Sequence, residues 1–206
     1  MRQERIKRLV LAFAGIVLVG TGVAFNAAAS LGNDPIGIVY DGIRNAANLS
    51  AGQLGMASNI VNVALVIVVA VFGRHYVNVG TLIYIIPYGT VVDFGTRLYG
   101  IIFKVQTLPF RILGAAAGCF LLYTGVAMFI TADIGLDPFT GMVMVIRDRV
   151  KKEYRVVKVV FDVCCIIAGT LLGGTLGVIT ILTAISAGPL IQFLADKMGR
   201  FMKFQK

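Results

Sequence analysis

Six long apolar runs leave this chain few ways to fold. They cover about residues 9–31, 56–73, 77–96, 112–132, 156–173 and 176–195. Each run is close to the roughly 17–25 residues that a helix needs to cross a bilayer. In hydrocarbon, every backbone polar group has to be bonded within its own segment, so such runs form helices. The sequence therefore predicts an all-α integral membrane protein with a single membrane domain, 1–206, and no soluble catalytic domain.

Composition and charge agree with a membrane protein. Hydrophobic residues make up 58% of the chain and charged residues 14%, and the mean hydropathy is +0.87. The net charge of +9 comes from basic residues between the apolar runs, where membrane proteins carry their topology determinants, so we expect no nucleic-acid partner. The three cysteines lie within predicted helices without paired spacing, which favours packing roles. We expect no metal and no cofactor.

The chain also contains an internal duplication. The segment TGVAFNAAASLGNDPIG, residues 21–37, recurs as TGVAMFITADIGLDPFT at 124–140, with eight of seventeen positions identical. Average residue usage would give about one or two identities. Further on, Asn62 aligns with Asp162, Thr81 with Thr180, Gly89 with Gly188 and Phe94 with Phe193. We predict two copies of one unit: repeat one over 8–99 and repeat two over 111–197.

The duplication also decides how the N-terminus is interpreted. A charged start, an apolar run and the sequence AAAS fit a secretory signal peptide as well as a membrane helix. The second copy of the segment is internal and must be a membrane helix. We therefore interpret the first copy as a retained membrane helix too.

Each copy carries a Gly-x-Asp-Pro turn that separates a long helix from a short one. Glycine supplies the helix-ending conformation, aspartate caps the next helix, and proline has no amide to leave unpaired in the first turn. The residues are Gly32, Asp34 and Pro35 in repeat one, and Gly135, Asp137 and Pro138 in repeat two. A purely structural turn and a direct part in ligand binding are both consistent with this pattern.

The short helices determine how many times the chain crosses the membrane. The segment after Pro35 has about a dozen helical residues and contains Asp41 and Arg44, and the segment after Pro138 has nine mainly apolar residues. Both are too short to span comfortably, which favours six spans with the repeats inverted. If both helices do cross, there are eight spans in parallel repeats. That alternative puts eighteen of the nineteen lysines and arginines inside, against fifteen for six spans, and both models put the two termini in the cytoplasm.

Polar side chains within the apolar runs are few and predict the functional site. An uncompensated polar group in lipid is costly, so its position is informative. The candidates are Asn26, Asn59, Asn62 and Asp162. A pseudo-two-fold axis would bring Asn62 near its equivalent Asp162 at mid-membrane, where repeat-built transporters bind substrate. Pairing of Asp162 with Lys158, and helix joining by the asparagines, is the simpler interpretation.

Two functions from different classes fit these features. One is a small secondary transporter or permease for a small solute, with its site at the repeat interface. The other is a non-transporting membrane partner or regulator that acts through the basic segment 147–158, which could equally bind anionic lipid or a cytoplasmic protein. An enzyme is not expected, because no nucleophile and base occur at workable spacing. Small-residue pairs such as Gly114 and Gly118 could pack the two halves together or join two copies in a homo-oligomer.

The sequence resembles a known family, the YczE-like bacterial membrane proteins, and more distantly the YitT group. The residues that carry the resemblance are GNDPIGIVYDGI, LSAGQLGMASNIVN and GTLIYIIPYGTVVDF in the first half, and GLDPFTGMVMVI, VVFDV and TILTAISAGPLIQF in the second. The chain departs from the pattern at Asp34 and Asp137, where members often have a small residue, and no tryptophan follows either proline. The resemblance implies a multi-pass protein of the bacterial inner membrane, with no defined substrate.

Overall fold

The computed structural model describes residues 2–202 as a bundle of helices. The eight α-helices in this range are α1 (Arg2–Ala29), α2 (Pro35–Ala46), α3 (Leu54–Phe72), α4 (Val79–Ile102), α5 (Leu108–Ala132), α6 (Pro138–Val150), α7 (Tyr154–Leu171) and α8 (Val178–Met202). Short 3-10 turns at Ala51–Gln53 and Arg74–Tyr76 precede α3 and α4. The C-terminal lysines Lys203 and Lys206, which entered the charge count above, lie outside the described residues.

The predicted long and short helices are all present, and five of the long ones are apolar and long enough to cross a membrane. These five are α1, α3, α4, α5 and α8. The sixth, α7, has only 18 residues and carries Arg155, Lys158 and Asp162. An all-helical membrane fold is therefore confirmed, whereas the six spans stay a prediction.

The two first helices of the predicted repeats, α1 and α5, form the centre of the bundle and run antiparallel. Gly15 packs against Gly125, and Gly22 packs against Gly118. A Cβ atom on Gly22 would lie 2.6 Å from the carbonyl oxygen of Gly118, so only glycine permits this approach. The shift that aligns residue 21 with 124 also aligns Gly15 with Gly118 and Gly22 with Gly125. The crossing therefore uses residues that the predicted duplication makes equivalent.

Two arginines at equivalent positions tie α1 and α5 together at their ends. Arg111, in the first turn of α5, donates from Nε to the carbonyl oxygen of Ala29 at 2.7 Å and from Nη2 to that of Ser30 at 2.6 Å. Arg8, in α1, donates to the carbonyl oxygens of Ala132 and Asp133 at 3.4 and 3.5 Å. Each arginine thus bonds carbonyls at the C-terminus of the other copy's first helix, which would otherwise lack partners.

Each Gly-x-Asp-Pro turn lies against the last long helix of the other copy. The amide of Gly80, at the start of α4, donates to the carbonyl of Ile134 at 3.2 Å. The amide of Ile179, at the start of α8, donates to the carbonyl of Leu31 at 3.0 Å. Thr81 adds a bond from its hydroxyl to the carbonyl of Leu136 at 2.7 Å. The two predicted copies thus make the same kind of contact in both directions: the turn of each is bonded by the start of the other's last long helix.

The short helix α2 lies against the short connection between α7 and α8, residues 172–177. Leu31, before α2, bonds the amide of Ile179 just past this connection. Within α2, Asp41 Oδ2 accepts from the amide of Thr175 at 2.8 Å. At its end, Asn45 Nδ2 donates to the carbonyl of Gly173 at 2.5 Å. At 1.5 Å per residue, the twelve residues of α2 extend only about 18 Å.

The short helix α6 has the same relation to the connection between α3 and α4. Ile134, before α6, bonds Gly80. Near the end of α6, Asp148 Oδ2 accepts from the hydroxyl of Tyr76 at 2.6 Å, and Val145 contacts Gly73. The contacts of α2 with the α7–α8 connection and those of α6 with the α3–α4 connection are therefore of the same kind.

The two copies differ in how their last two long helices pack. In the first copy, α3 packs closely on α4, because Gly55 and Gly89 contact each other and Asp93 Oδ1 accepts from the amide of Gly55 at 2.7 Å. In the second copy, α7 and α8 make only marginal contact, and nothing lies within 4 Å of a Cβ placed on Gly188, the equivalent of Gly89. Asp93 thus joins α3 to α4 through a hydrogen bond.

Candidate functional site

Asn62 lies in the middle of α3 and is fully buried. Its Oδ1 accepts a hydrogen bond of 2.9 Å from the hydroxyl of Tyr40, which comes from α2. Its Nδ2 is buried and has no partner. A buried donor without a partner costs free energy, and such atoms in native proteins call for an explanation.

Asn59, one helical turn before Asn62, has a structural role. Its Oδ1 accepts from the amide of Gly89 in α4 at 3.0 Å. That amide belongs to the helix interior just after Pro87, which itself has no N–H, and the bond fixes α3 to α4. This hydrogen bond supports the interpretation of Asn59 as a helix-joining residue.

Asp162 lies in α7 and is 8% exposed. Its Oδ2 forms an ion pair of 2.7 Å with Lys158 Nζ, one turn earlier in the same helix. The ammonium of Lys158 also lies 5.4 Å from the ring centroid of Phe139 in α6. The other carboxylate oxygen, Oδ1, is buried without a partner. The predicted pairing with Lys158 is present, and it leaves Asp162 Oδ1 without a hydrogen-bond partner.

Asn26 lies in α1 and is fully buried against α5. A Cβ on Gly118 would collide with the Asn26 side chain, so glycine there makes room for the amide. The thiol of Cys119 is 3.8 Å from Asn26 Oδ1, a weak hydrogen bond. Asn26 Nδ2 has no partner. Asn26 therefore resembles Asn62, with one amide atom bonded and the other left over.

Asp34 and Asp137 precede the short helices at equivalent positions but have different partners. Asp137 Oδ1 accepts from the amide of Thr140 at 3.0 Å, so Asp137 caps α6 as predicted. The amide of Gly37, the equivalent of Thr140, faces the Asp34 carboxyl and offsets a small part of the rise that burial causes in its pKa, but it forms no cap hydrogen bond of normal geometry, and Asp34 Oδ1 is buried without a partner. The same motif is therefore a structural cap in the second copy and leaves an available carboxylate in the first.

Asp34 lies among the other candidate residues. The helix that Asp34 precedes, α2, packs along α7, which carries Asp162 and Lys158. The connection before α2 also folds back onto α1, because Asn33 Nδ2 donates to the carbonyl of Val23 at 3.1 Å. Asp34 lies in this connection, outside the long apolar helices. Its burial, reinforced by the charge of Asp162, raises the pKa of Asp34 to about 6.

Asn62 and Asp162 were predicted to approach each other across the pseudo-two-fold axis. No hydrogen bond joins them in the structure of residues 2–202, and α3 packs on α2, α4 and α6 and not appreciably on α7. The short helix α2 connects them instead. Its Tyr40 bonds Asn62, while Asp34 at its N-terminus is near Asp162.

Four of the buried polar atoms that lack partners belong to this one cluster. They are Asn26 Nδ2, Asp34 Oδ1, Asn62 Nδ2 and Asp162 Oδ1. We call these four residues the central polar cluster. They come from α1, from the connection before α2, from α3 and from α7, so both copies contribute to it. Sequence reasoning named all four, and for Asp34 it left open a structural role in the turn or a direct part in ligand binding.

A row of tyrosines lies beside the central polar cluster and was largely missed from the sequence. Tyr84 and Tyr88 of α4 stack with ring centroids 4.9 Å apart, and Tyr88 packs edge-on against Tyr40 at 6.0 Å. All three are buried. A four-residue spacing identifies the stacked pair, whereas Tyr40 becomes its neighbour only through the folding of α2.

The basic segment 147–158 uses several of its charges inside the molecule. Arg147 pairs with Asp148 at 2.7 Å and also donates to the hydroxyl of Tyr76. The guanidinium of Arg149 lies 4.5 Å from the ring centroid of Phe72, and Lys158 pairs with Asp162. These contacts account for three of its cations without an external partner.

Apolar helices around a buried polar cluster define a multi-pass membrane protein. The stability of the fold does not account for the unpartnered polar atoms of this cluster. The chain belongs to a family of unknown function (DUF6198), whose model matches residues 6–196. It is 25% identical over 194 residues to the uncharacterized membrane protein YczE of Bacillus subtilis (strain 168), covering 94% of this chain and 87% of that protein.

A second relative is an uncharacterized protein of Haemophilus influenzae (strain ATCC 51907 / DSM 11121 / KW20 / Rd). It is 26% identical over 191 residues, which cover 93% of this chain and 84% of that protein. No solved structure matches. The resemblance to YczE-like proteins is thus confirmed over nearly the whole chain, and it carries no substrate with it.

Proposed function

We propose that this protein is a secondary transporter or permease for a small solute in the bacterial inner membrane, and not an enzyme. The observation that carries the proposal is the central polar cluster, in which four buried polar atoms lack partners at the junction of the two copies. Folding alone gives no reason to bury such atoms, because each costs free energy. A solute that bonds them gives the reason.

Inverted repeats support this function. The antiparallel crossing of α1 and α5, the reciprocal bonds of Arg8 and Arg111, and the turns held by the other copy's helix all favour two copies of opposite orientation. The contacts of α2 with the α7–α8 connection, and of α6 with the α3–α4 connection, favour six spans over eight. Inverted repeats with a site at their interface are a common design of secondary transporters.

The different packing of the two copies supplies a route to the site. The close packing of α3 on α4 closes one side of the cluster, whereas the marginal contact of α7 with α8 leaves the side of Asp162 less covered. In the proposed cycle the copies exchange these arrangements. The α7–α8 pair then closes while the α3–α4 pair opens, as alternating access requires.

Ligand-dependent thermal unfolding of the purified protein tests the proposal. Wild type, Asp162→Asn and Glu153→Gln are compared against a panel of small metabolites and inorganic cations at several pH values. Glu153 is the matched control, because it is an exposed acidic residue just before the same helix. Binding to the folded state raises the melting temperature by mass action.

We expect at least one solute to stabilise wild type and Glu153→Gln but not Asp162→Asn. Uptake of that solute into vesicles containing the purified protein then tests transport itself. If no solute stabilises the well-folded wild type, or if a stabilising solute acts equally on Asp162→Asn, the site is not where we propose it.

A further inference from the structure

We infer that the central polar cluster binds a small protonated amine that also carries a polar group. The inference rests on the proposed transport function for its site and adds the chemical class of the solute. It comes from the charges, the unbonded atoms and the aromatic rings that meet around Asp34 and Asp162.

The charges around the cluster do not balance within the chain. Asp34 and Asp162 contribute two carboxylates, and Lys158 is the cation that acts on both. The ammonium of Lys158 is committed to Asp162 Oδ2 at 2.7 Å. Asp34 is half-buried and its Oδ1 is fully buried, and such a carboxylate without a counter-ion is costly, so one further positive charge would complete the cluster.

The unbonded carboxylate oxygens show where that charge would be held. Asp162 Oδ1 and Asp34 Oδ1 are both buried without a partner. An ammonium group has three donors and no acceptor, so it can satisfy carboxylate oxygens that lack a partner. The amides Asn26 and Asn62 supply further buried atoms without partners for the polar group of the solute.

The surroundings favour an organic cation over a metal ion. Among residues 2–202, no group of three or more histidine, cysteine, aspartate or glutamate side chains could hold a metal ion. Aromatic side chains are abundant instead, with Tyr40 and Tyr88 on one side and Phe139 next to the ammonium of Lys158. Lys158 over Phe139 already shows an ammonium accommodated by carboxylate and ring together.

Calorimetric titration of the purified protein in detergent at pH 8 tests the inference with three probes. Ethanolammonium chloride has the ammonium and a hydroxyl, ethylene glycol replaces the ammonium with a second hydroxyl, and potassium chloride supplies a cation alone. We expect ethanolammonium to bind at least about tenfold more tightly than either other probe, because a buried charge contact is worth more than a neutral one. Equal binding of ethylene glycol or of potassium would overturn the inference.

Three variants, Asp34→Asn, Asp162→Asn and Lys158→Gln, assign the binding to the cluster, and Glu153→Gln is their control. Asp34→Asn and Asp162→Asn should each weaken ethanolammonium binding by about tenfold or more, whereas Glu153→Gln should leave it unchanged. Lys158→Gln should strengthen binding, because it leaves Asp162 without its internal cation. A gain of affinity cannot come from a misfolded protein, so this variant keeps the test decisive even if an aspartate variant folds poorly. Unchanged affinity in all three variants would also overturn the inference.

The outcomes separate the inference from the transport function. A neutral or anionic solute that stabilises wild type but not Asp162→Asn would refute the amine and leave the transport proposal standing. Conversely, an amine that binds through Asp34 and Asp162 but does not enter vesicles would confirm the ligand class and refute transport.

Discussion

Asp34 and Asp137 stand at the same position of the repeated turn, yet only Asp137 bonds the helix that follows it. In the Asp137→Ala variant, the amide of Thr140 loses its hydrogen-bond acceptor. We therefore expect the free energy of unfolding to fall by about 1 kcal/mol. At Asp34→Ala no cap bond is lost, so we expect a smaller loss of stability together with loss of solute binding. Unfolding of both variants in the same detergent, followed by ethanolammonium titration, measures the two effects separately. An equal loss of stability in both would show that Asp34 is a cap as well.

The pKa of Asp34 gives ethanolammonium binding a definite pH dependence. Burial raises this pKa to about 6, so the carboxylate is ionised at pH 8 and becomes protonated as the pH falls below about 6. Because a cation binds the ionised form, affinity should fall on acidification, by at most about tenfold per pH unit for this one proton.

Titration of the wild type and of Asp34→Asn between pH 5 and pH 8 measures this effect. Several other titratable groups face Asp34: Asp162 and Lys158 from α7, Tyr40 from α2, Tyr88 from α4, and Cys119 and Tyr123 from α5. Of these, Asp162 is the other carboxylate, and its contribution should remain in the variant. A pH dependence that is the same in both proteins would exclude Asp34 as its source.

At the residue scale, the sequence indicates which positions are unusual but not what they touch. A polar residue in an apolar run is visible at once, and Asn26, Asn59, Asn62 and Asp162 were found that way. Their roles differ because their partners are far away in sequence. Asn59 meets Gly89 in α4, while Asn62 meets Tyr40 in α2. Only the pairing of Lys158 with Asp162, four residues apart on one helix, was readable from spacing.

At the scale of helices, the pair Gly89 and Gly188 offers a matched test of the different packing in the two copies. A Cβ on Gly89 would collide with the Asn59 side chain and the carbonyl of Gly55, whereas one on Gly188 would meet nothing within 4 Å. Gly89→Ala should therefore destabilise the protein by about 1–3 kcal/mol. Gly188→Ala should change stability by less than about 0.5 kcal/mol.

Unfolding of the two alanine variants under the same conditions decides the matter. Both substitutions lie within a long helix and add the same methyl group, so differences in helix propensity largely cancel. Comparable destabilisation at Gly188 would mean that α8 packs on α7 as tightly as α4 packs on α3.

Helix positions were predictable because apolar length and proline or glycine breaks are local properties. The predicted run 56–73 became α3 at Leu54–Phe72, and 112–132 became α5 at Leu108–Ala132. The packing asymmetry was not predictable, since aligned residues such as Gly89 and Gly188 are identical in both copies. What differs is their neighbours, because Asn59 aligns with Val159, which cannot bond a backbone amide.

For the whole molecule, labelling of single cysteines from each side of the membrane tests six inverted spans against eight parallel ones. The native cysteines Cys119, Cys164 and Cys165 are first replaced by alanine. Cysteines are then placed one at a time at the exposed positions Ala47, His75 and Lys152. Six spans put residue 47 outside and residue 75 inside, eight spans reverse both, and residue 152 is inside in either model.

An impermeant maleimide applied to intact cells and to inverted vesicles reads the result. We expect position 47 to be labelled in intact cells and positions 75 and 152 only in inverted vesicles. Labelling of position 75 in intact cells would refute the inverted arrangement and, with it, the alternating packing proposed for the two copies.

The reciprocal arginine bonds also bear on how the protein is made. Arg111 follows Ala29 by 82 residues, so the carbonyls that end α1 obtain their partner only after the whole first copy has left the ribosome. The glycine surfaces of α1 likewise stay unfilled until α5 enters the bilayer. The first copy therefore stays incompletely packed in the membrane until α5 is inserted. Neither copy can fold to its final structure by itself during synthesis.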